Sequence, residues 1–106
     1  YLEGISNSEI LLPFVPDYTV PVWHIFSLRC HRRDELEKFL NEAGISTNKH
    51  YPIPIHLQEC YKNLGFREGD FPIAEEISAT ELSIPLYYGM TEDEIQYVID
   101  KVSEFK

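Results

Sequence analysis

Lys49-His50-Tyr51-Pro52-Ile53-Pro54-Ile55-His56-Leu57-Gln58 constrains this chain more than any other stretch, because its alternate prolines nearly freeze the backbone. Each proline locks its own φ at about −65° and pushes the residue before it toward extended geometry. The spacing predicts a stiff, extended arm from His50 to His56 that is neither helix nor central sheet strand. Rigid backbone carrying two histidines and a tyrosine suits a binding or catalytic surface. It suits a well-made loop equally, so the flanking sequence has to decide.

Upstream, Val20 to Cys30 is apolar and rich in β-formers. Val22, His24, Phe26, Leu28 and Cys30 alternate with Trp23, Ile25, Ser27 and Arg29, which predicts a strand. Between Ile10 and Pro21 three prolines and no periodicity predict an extended linker or entry loop. Leu36, Phe39, Leu40 and Ala43 mark an amphipathic helix over Asp34 to Ala43, with Asp34 and Lys38 as an exposed pair and Gly44 as its stop. Ile45 to Tyr51 reads as a second strand leading into the arm. Leu57, Cys60, Tyr61 and Leu64 repeat the helical spacing as far as Gly65.

Gly69-Asp70-Phe71-Pro72 is a turn that launches a further helix to about Thr80, with Pro72 in its first turn and Asp70 or a neighbour as cap. Leu82 to Pro85 is a short strand. Thr91 and Glu94 form a capping box for a last helix that buries Ile95, Val98, Ile99, Val102 and Phe105. The order β-α-β-α-α-β-α defines an α+β fold: a small, mostly antiparallel sheet of about three strands packed with about four helices.

At 106 residues the chain is one domain, able to bury about two thirds of its unfolded surface. Its 18 acidic residues against 9 basic ones give a net charge of −9. That surface repels phosphate backbones and anionic membranes, so nucleic acid is not an expected partner. No apolar run approaches the roughly 18 residues of a membrane span, and no secretory leader opens the sequence. Two cysteines make no disulfide framework, which points to a reducing cytoplasm.

Four histidines and two cysteines invite a metal site. His56 and Cys60 would share a helix face at i,i+4, with Cys30, His31 and His50 to complete the ligands. Adjacent Cys30 and His31 point to opposite faces of a strand, however, and Cys60 falls on the apolar stripe of its helix, where a free cysteine is ordinary core. No metal is expected. Neither cysteine shows the adjacent base a thiolate nucleophile needs. Glu75-Glu76 and Glu92-Asp93-Glu94 lie in first helical turns, where acids complement the helix dipole. His24, on a face with Val22, Phe26 and Leu28, is either a satisfied core residue or a contact to something outside the chain.

Taken in order, Val22-Trp23-His24-Ile25-Phe26 with the helix around Arg33-Asp34-Glu35-Leu36, the proline arm, Gly69-Asp70-Phe71-Pro72-Ile73-Ala74-Glu75 with Leu82-Ser83-Ile84-Pro85-Leu86, and Met90-Thr91-Glu92 form four blocks. Together they resemble the C-terminal small domain of the DegT/DnrJ family of nucleotide-sugar aminotransferases, fold-type-I enzymes that use pyridoxal phosphate. The resemblance covers about residues 20 to 106. Tyr1 to Gly4 resembles the tail of the helix that joins the family's large domain to this one. Residues 1–19 would then be the end of that helix and a linker, and 20–106 the small domain.

The resemblance implies a parent enzyme, a cytoplasmic homodimer, that moves an amino group from glutamate to a nucleotide-linked keto sugar. It also implies that the Schiff-base lysine lies outside this chain, which on its own is neither catalytic nor a cofactor binder. These residues would form one wall of the cofactor cleft, with His24, His50 and Tyr51 facing substrate. His56 and Arg29 stand behind them as further candidates, His56 with the competing role of capping the next helix. The alternative is a stand-alone, non-catalytic module that binds a nucleotide-sugar or a protein. A large partner domain would leave exposed part of the apolar face carrying Trp23 or Tyr51, Ile53 and Ile55, whereas a stand-alone module would close it.

Overall fold

In the computed structural model, which describes residues 1–106 throughout, Phe26–Cys30 forms the middle strand of a three-stranded antiparallel sheet. We call it β2. One edge is β1, Ile10–Leu11, and the other is β3, Glu81–Ile84. Phe26 pairs with Ile84, Ser27 with Ser83, Leu28 with Leu82 and Arg29 with Glu81. This register sorts the sheet by chemistry. Phe26, Leu28, Cys30, Leu82 and Ile84 join the core, while Ser27, Arg29, Glu81 and Ser83 fall on the other face.

The core face is covered by α1 (Arg33–Glu42) and α3 (Glu92–Glu104). Leu36 and Leu40 of α1 and Val98 and Val102 of α3 are buried against the sheet, with Ile5, Ile45 and Phe105 closing the cluster. Ile99 packs at its margin, and Ile95 and Ile99, expected to be buried, are only half-buried. Fully burying each such leucine or valine contributes about 1.5–3 kcal/mol, so this layer carries most of the fold's stability. The α3 capping box forms as expected: Thr91 Oγ1 accepts from the Glu94 N–H, and Glu94 accepts from the Thr91 N–H at 2.8 Å. Gly44 and Gly65 take the left-handed conformation that ends a helical segment.

The α+β class stands, with a three-stranded antiparallel sheet and helical cover, but several elements differ from expectation. Strand pairing begins only at Phe26. Residues 20–24 are exposed and unpaired, because β3 offers partners no further than Ile84 and Pro21 has no N–H to give. The segment read as a linker contributes β1, which pairs Ile10 with Cys30 and Leu11 with Arg29. Ile45 to Tyr51 is not a strand; it touches β3 through one isolated bridge between Asn48 and Ser83.

The proline arm is not extended throughout as expected: the chain bends at His50, Pro52 and Ile53, is extended at Pro54, then winds into a short 3-10 turn at Ile55–Leu57. The expected helix over Leu57 to Leu64 is a second 3-10 segment, Glu59–Leu64, broken from the first at Gln58, where ψ is 143°. None of its residues is buried, so its apolar stripe has no surface to pack against, and Cys60 is exposed rather than core. In α2 (Pro72–Thr80) Pro72 opens the helix, but Asp70 is not its cap. Asp70 instead accepts from the Arg67 N–H, and Glu75 takes the N–H groups of Gly69 and Phe71. Asp34 bonds Arg33 and Lys49 rather than Lys38, which pairs with Glu42.

Candidate functional site

Two of the sequence's candidate residues, His24 and His50, come together beside β3. Main chain from Ser46 to His50 runs along β3, held by reciprocal bonds between Asn48 and Ser83: the Ser83 N–H to Asn48 O at 2.8 Å and the return bond at 3.1 Å. Beside it the entry to β2 brings His24 and Ile25 close. Between the two lies an open cleft of about 300 Å³ whose lining includes His24, Asn48, His50 and Ser83.

His50 is held from three sides. Its main-chain N–H donates to Glu81 Oε2 at 2.7 Å, Nδ1 lies 2.9 Å from Ser83 Oγ, and Nε2 lies 3.2 Å from Asn48 Nδ2. Glu81 is only 3% exposed. A buried carboxylate is costly unless its oxygens are hydrogen-bonded, and this one receives Ser27 Oγ at 2.8 Å, Ser83 Oγ at 2.6 Å and the His50 N–H. Arg33 reaches only its main-chain carbonyl, at 3.2 Å.

Next to the cleft, Tyr1, Trp23 and Phe26 stack at ring separations of 5.1 and 5.2 Å, and Leu86 lines both this apolar hollow and the cleft. The Tyr1 hydroxyl donates to Pro85 O at 2.8 Å, and burial pushes its pKa up to about 12.

His24 and His50 therefore share one cleft. Tyr51 stacks edge-on against the His50 ring at 5.5 Å with its own ring exposed to solvent. His56 sits elsewhere: it is buried, 2.8 Å from Glu75 and edge-on to Phe71, and it caps no helix. Arg29 pairs with Glu76 at 2.7 Å and lines a separate groove with Glu9, Cys30 and His31. Ser83, Glu81 and Asn48 did not stand out in the sequence. The alternation of Glu81 and Ser83 with Leu82 and Ile84, opposite Ser27 and Arg29, is the signal that would have found two of them.

A pyridoxal phosphate cofactor requires a lysine whose amine is neutral enough to form a Schiff base. The lysines here do not fit. Lys49 is bonded to Glu37 at 2.6 Å and to Asp34, and those carboxylates hold its pKa above the usual value. Glu104 does the same to Lys101. Lys38 and Lys62 are exposed and paired with Glu42 and Glu59, and Lys106 is exposed. No step through the cofactor is assigned to these residues. No His, Cys, Asp and Glu side chains group in threes or more in reach of one metal ion, and no helix is long and apolar enough to cross a membrane.

The three-stranded antiparallel sheet, with α1 and α3 on its core face and α2 reaching its polar face, has the fold of solved aminotransferase structures. The crystal structure of Streptomyces venezuelae DesV in complex with a ketimine intermediate superposes on it with a TM-score of 0.88 at 40% identity, over 97% of this chain and 27% of that one. Residues 2–103 match the DegT/DnrJ/EryC1/StrS aminotransferase family, and the chain belongs to that family. A dTDP-3-amino-3,4,6-trideoxy-alpha-D-glucose transaminase of Streptomyces venezuelae is 40% identical over 99% of the chain. A pleiotropic regulatory protein of Geobacillus stearothermophilus is 38% identical over 98%. The chain spans 28% of the length of each of these two relatives.

Proposed function

We propose that these residues are the small domain of a pyridoxal-phosphate-dependent aminotransferase that transfers an amino group from glutamate to a nucleotide-linked keto sugar. The parent is a homodimer working in the cytoplasm. Residues 20–106 make the small domain, and 1–19 are the connector from a large domain, its short strand docked on β2. The chain's own part is to wall one side of the substrate cleft, with His24, His50 and Tyr51 toward the sugar nucleotide.

The observation that carries this reading is the convergence of His24 and His50 on one cleft, in a chain that belongs to a sugar-aminotransferase family. The surface around the arm supports it. Tyr51, Ile53 and Ile55 are 70%, 52% and 68% exposed, an apolar face that a closed stand-alone module would cover. Trp23, 39% exposed, lies apart from it in the hollow with Tyr1 and Leu86.

The test uses the full-length protein, reduced with borohydride in the presence of pyridoxal phosphate and mapped by peptide mass. The expected label falls outside residues 1–106, together with formation of 2-oxoglutarate from glutamate and a dTDP-keto sugar. A label on Lys38, Lys49, Lys62, Lys101 or Lys106, or no glutamate-dependent amination of any sugar nucleotide, overturns the reading.

A further inference from the structure

Ser83 Oγ lies between the Glu81 carboxylate and the His50 ring. A serine hydroxyl has one hydrogen to donate, and here it goes to the buried carboxylate, Ser83 Oγ lying 2.6 Å from Glu81 Oε1. Toward His50 the serine then has only lone pairs, so Nδ1, at 2.9 Å, is the donor. The other end of the ring gives the same answer independently. The Lys49 N–H donates to Asn48 Oδ1 at 2.8 Å, which turns the amide NH2 toward His50 Nε2 at 3.2 Å. A ring nitrogen that receives an N–H is an acceptor. Both ends point to a ring that donates from Nδ1 and accepts at Nε2.

We propose that Glu81 is a positioning residue for the cleft. Through Ser83 it holds His50 as the Nδ1–H tautomer, and through the His50 main-chain N–H it fixes the start of the proline arm on β3. The outer nitrogen, Nε2, is thereby presented as a hydrogen-bond acceptor. A ligand group that takes the place of the Asn48 amide must be a donor, such as a sugar hydroxyl, and not a phosphate or carboxylate oxygen. The choice of a sugar hydroxyl rests on the function proposed above; the tautomer does not. Burial of Glu81 supports the assignment, since a carboxylate without a side-chain counter-ion is a costly link between strands, and its three donors all belong to the sheet or the arm beside it.

The test is ring-nitrogen NMR of the full-length protein carrying isotopically labelled histidine at neutral pH, with the His50 signals assigned by loss in His50→Gln. The wild type is expected to show a protonated Nδ1 and a pyridine-type Nε2. Glu81→Ala releases the Ser83 hydroxyl to donate to Nδ1, and the ring is expected to become a mixture of tautomers. Glu81→Gln with its oxygen toward Ser83 keeps that acceptor and is expected to retain the wild-type tautomer, although its NH2 cannot accept the His50 N–H and the arm contact is lost. Should Glu81→Ala fail to fold, Ser83→Ala, which removes the acceptor facing Nδ1, is expected to give the same mixture, and a wild-type pattern there overturns the proposal equally.

Adding dTDP-glucose is expected to shift the Nε2 signal while leaving it pyridine-type; inorganic phosphate is expected to leave it unchanged. A wild-type ring protonated at Nε2 or at both nitrogens, a wild-type pattern in Glu81→Ala, or protonation of the ring by phosphate overturns the proposal. The expected tautomer without any binding of dTDP-glucose supports the relay and counts against the sugar-binding function instead.

Discussion

His56 Nε2 lies 2.8 Å from Glu75 Oε1, and this buried contact ties the end of the proline arm to the first turn of α2. The same carboxylate accepts the Gly69 N–H at 2.9 Å and the Phe71 N–H at 3.2 Å. The Gly69 N–H foremost, then the His56 ring and the Phe71 N–H, hold the Glu75 pKa below its ordinary value against the opposing effect of desolvation. A carboxylate with a depressed folded pKa stabilises the protein above its unfolded pKa, and that contribution is lost as the pH falls through the folded value. Urea midpoints measured against pH are therefore expected to separate wild type from Glu75→Gln above pH 4.5, the ordinary value for this group, and to converge below it. A gap that stays constant into acid would show that Glu75 is not ionised in this contact.

Thr91 caps α3, and its side chain is the partner of the Glu94 N–H. Thr91→Ala removes one half of the capping box and is expected to destabilise by about 1 kcal/mol. For a domain of this size that corresponds to a fall in Tm of about 4–8 °C. Thr91→Ser keeps the oxygen and should stay within about 2 °C of wild type in the same calorimetric scan. Equal losses in both variants would place the effect in packing instead of capping.

Leu28 is fully buried where β2 meets both α1 and β3. Leu28→Ala leaves a cavity at the centre of the only core and is expected to cost about 2–5 kcal/mol. Against a total stability of about 5–15 kcal/mol for a domain, that is a large share. Tyr88, at 106% relative exposure, is the control; Tyr88→Ser should change stability by no more than about 0.5 kcal/mol. Urea unfolding followed by near-ultraviolet dichroism reads both.

What was legible in the sequence is what local periodicity encodes. The α1 stripe, the Thr91 capping box and the Phe26–Leu28–Cys30 face are all present where their spacing puts them. Local pattern failed where partners decide. Residues 20–24 have strand propensity but no strand beside them, and Ile10–Leu11 has no strand signature but pairs with Cys30 and Arg29. Leu57, Cys60, Tyr61 and Leu64 have helical spacing but nothing to pack on, so the segment stays as exposed 3-10 turns. The cleft was half legible for the same reason. His24 and His50 stand out by residue type, whereas Glu81 and Ser83 matter only through the register that sets them beside Ser27 and under the arm.

Substitution distinguishes the cleft from its surroundings. His24 and His50 line it, while Arg29 is held by Glu76 in a different groove. Each histidine that accepts or donates one hydrogen bond to ligand should contribute about 0.5–1.5 kcal/mol. In the full-length protein, His24→Ala and His50→Ala are each expected to raise KM for a dTDP-keto sugar by about two- to tenfold. KM for glutamate should change less, because the effect belongs to one substrate. Arg29→Ala breaks an exposed ion pair worth at most about 1 kcal/mol of stability and should leave both KM values unchanged. Steady-state kinetics with each substrate varied in turn reads all three variants. If Arg29→Ala raises KM for the sugar and His24→Ala does not, the substrate lies on the β1 side of the sheet and the cleft at His50 is not its site.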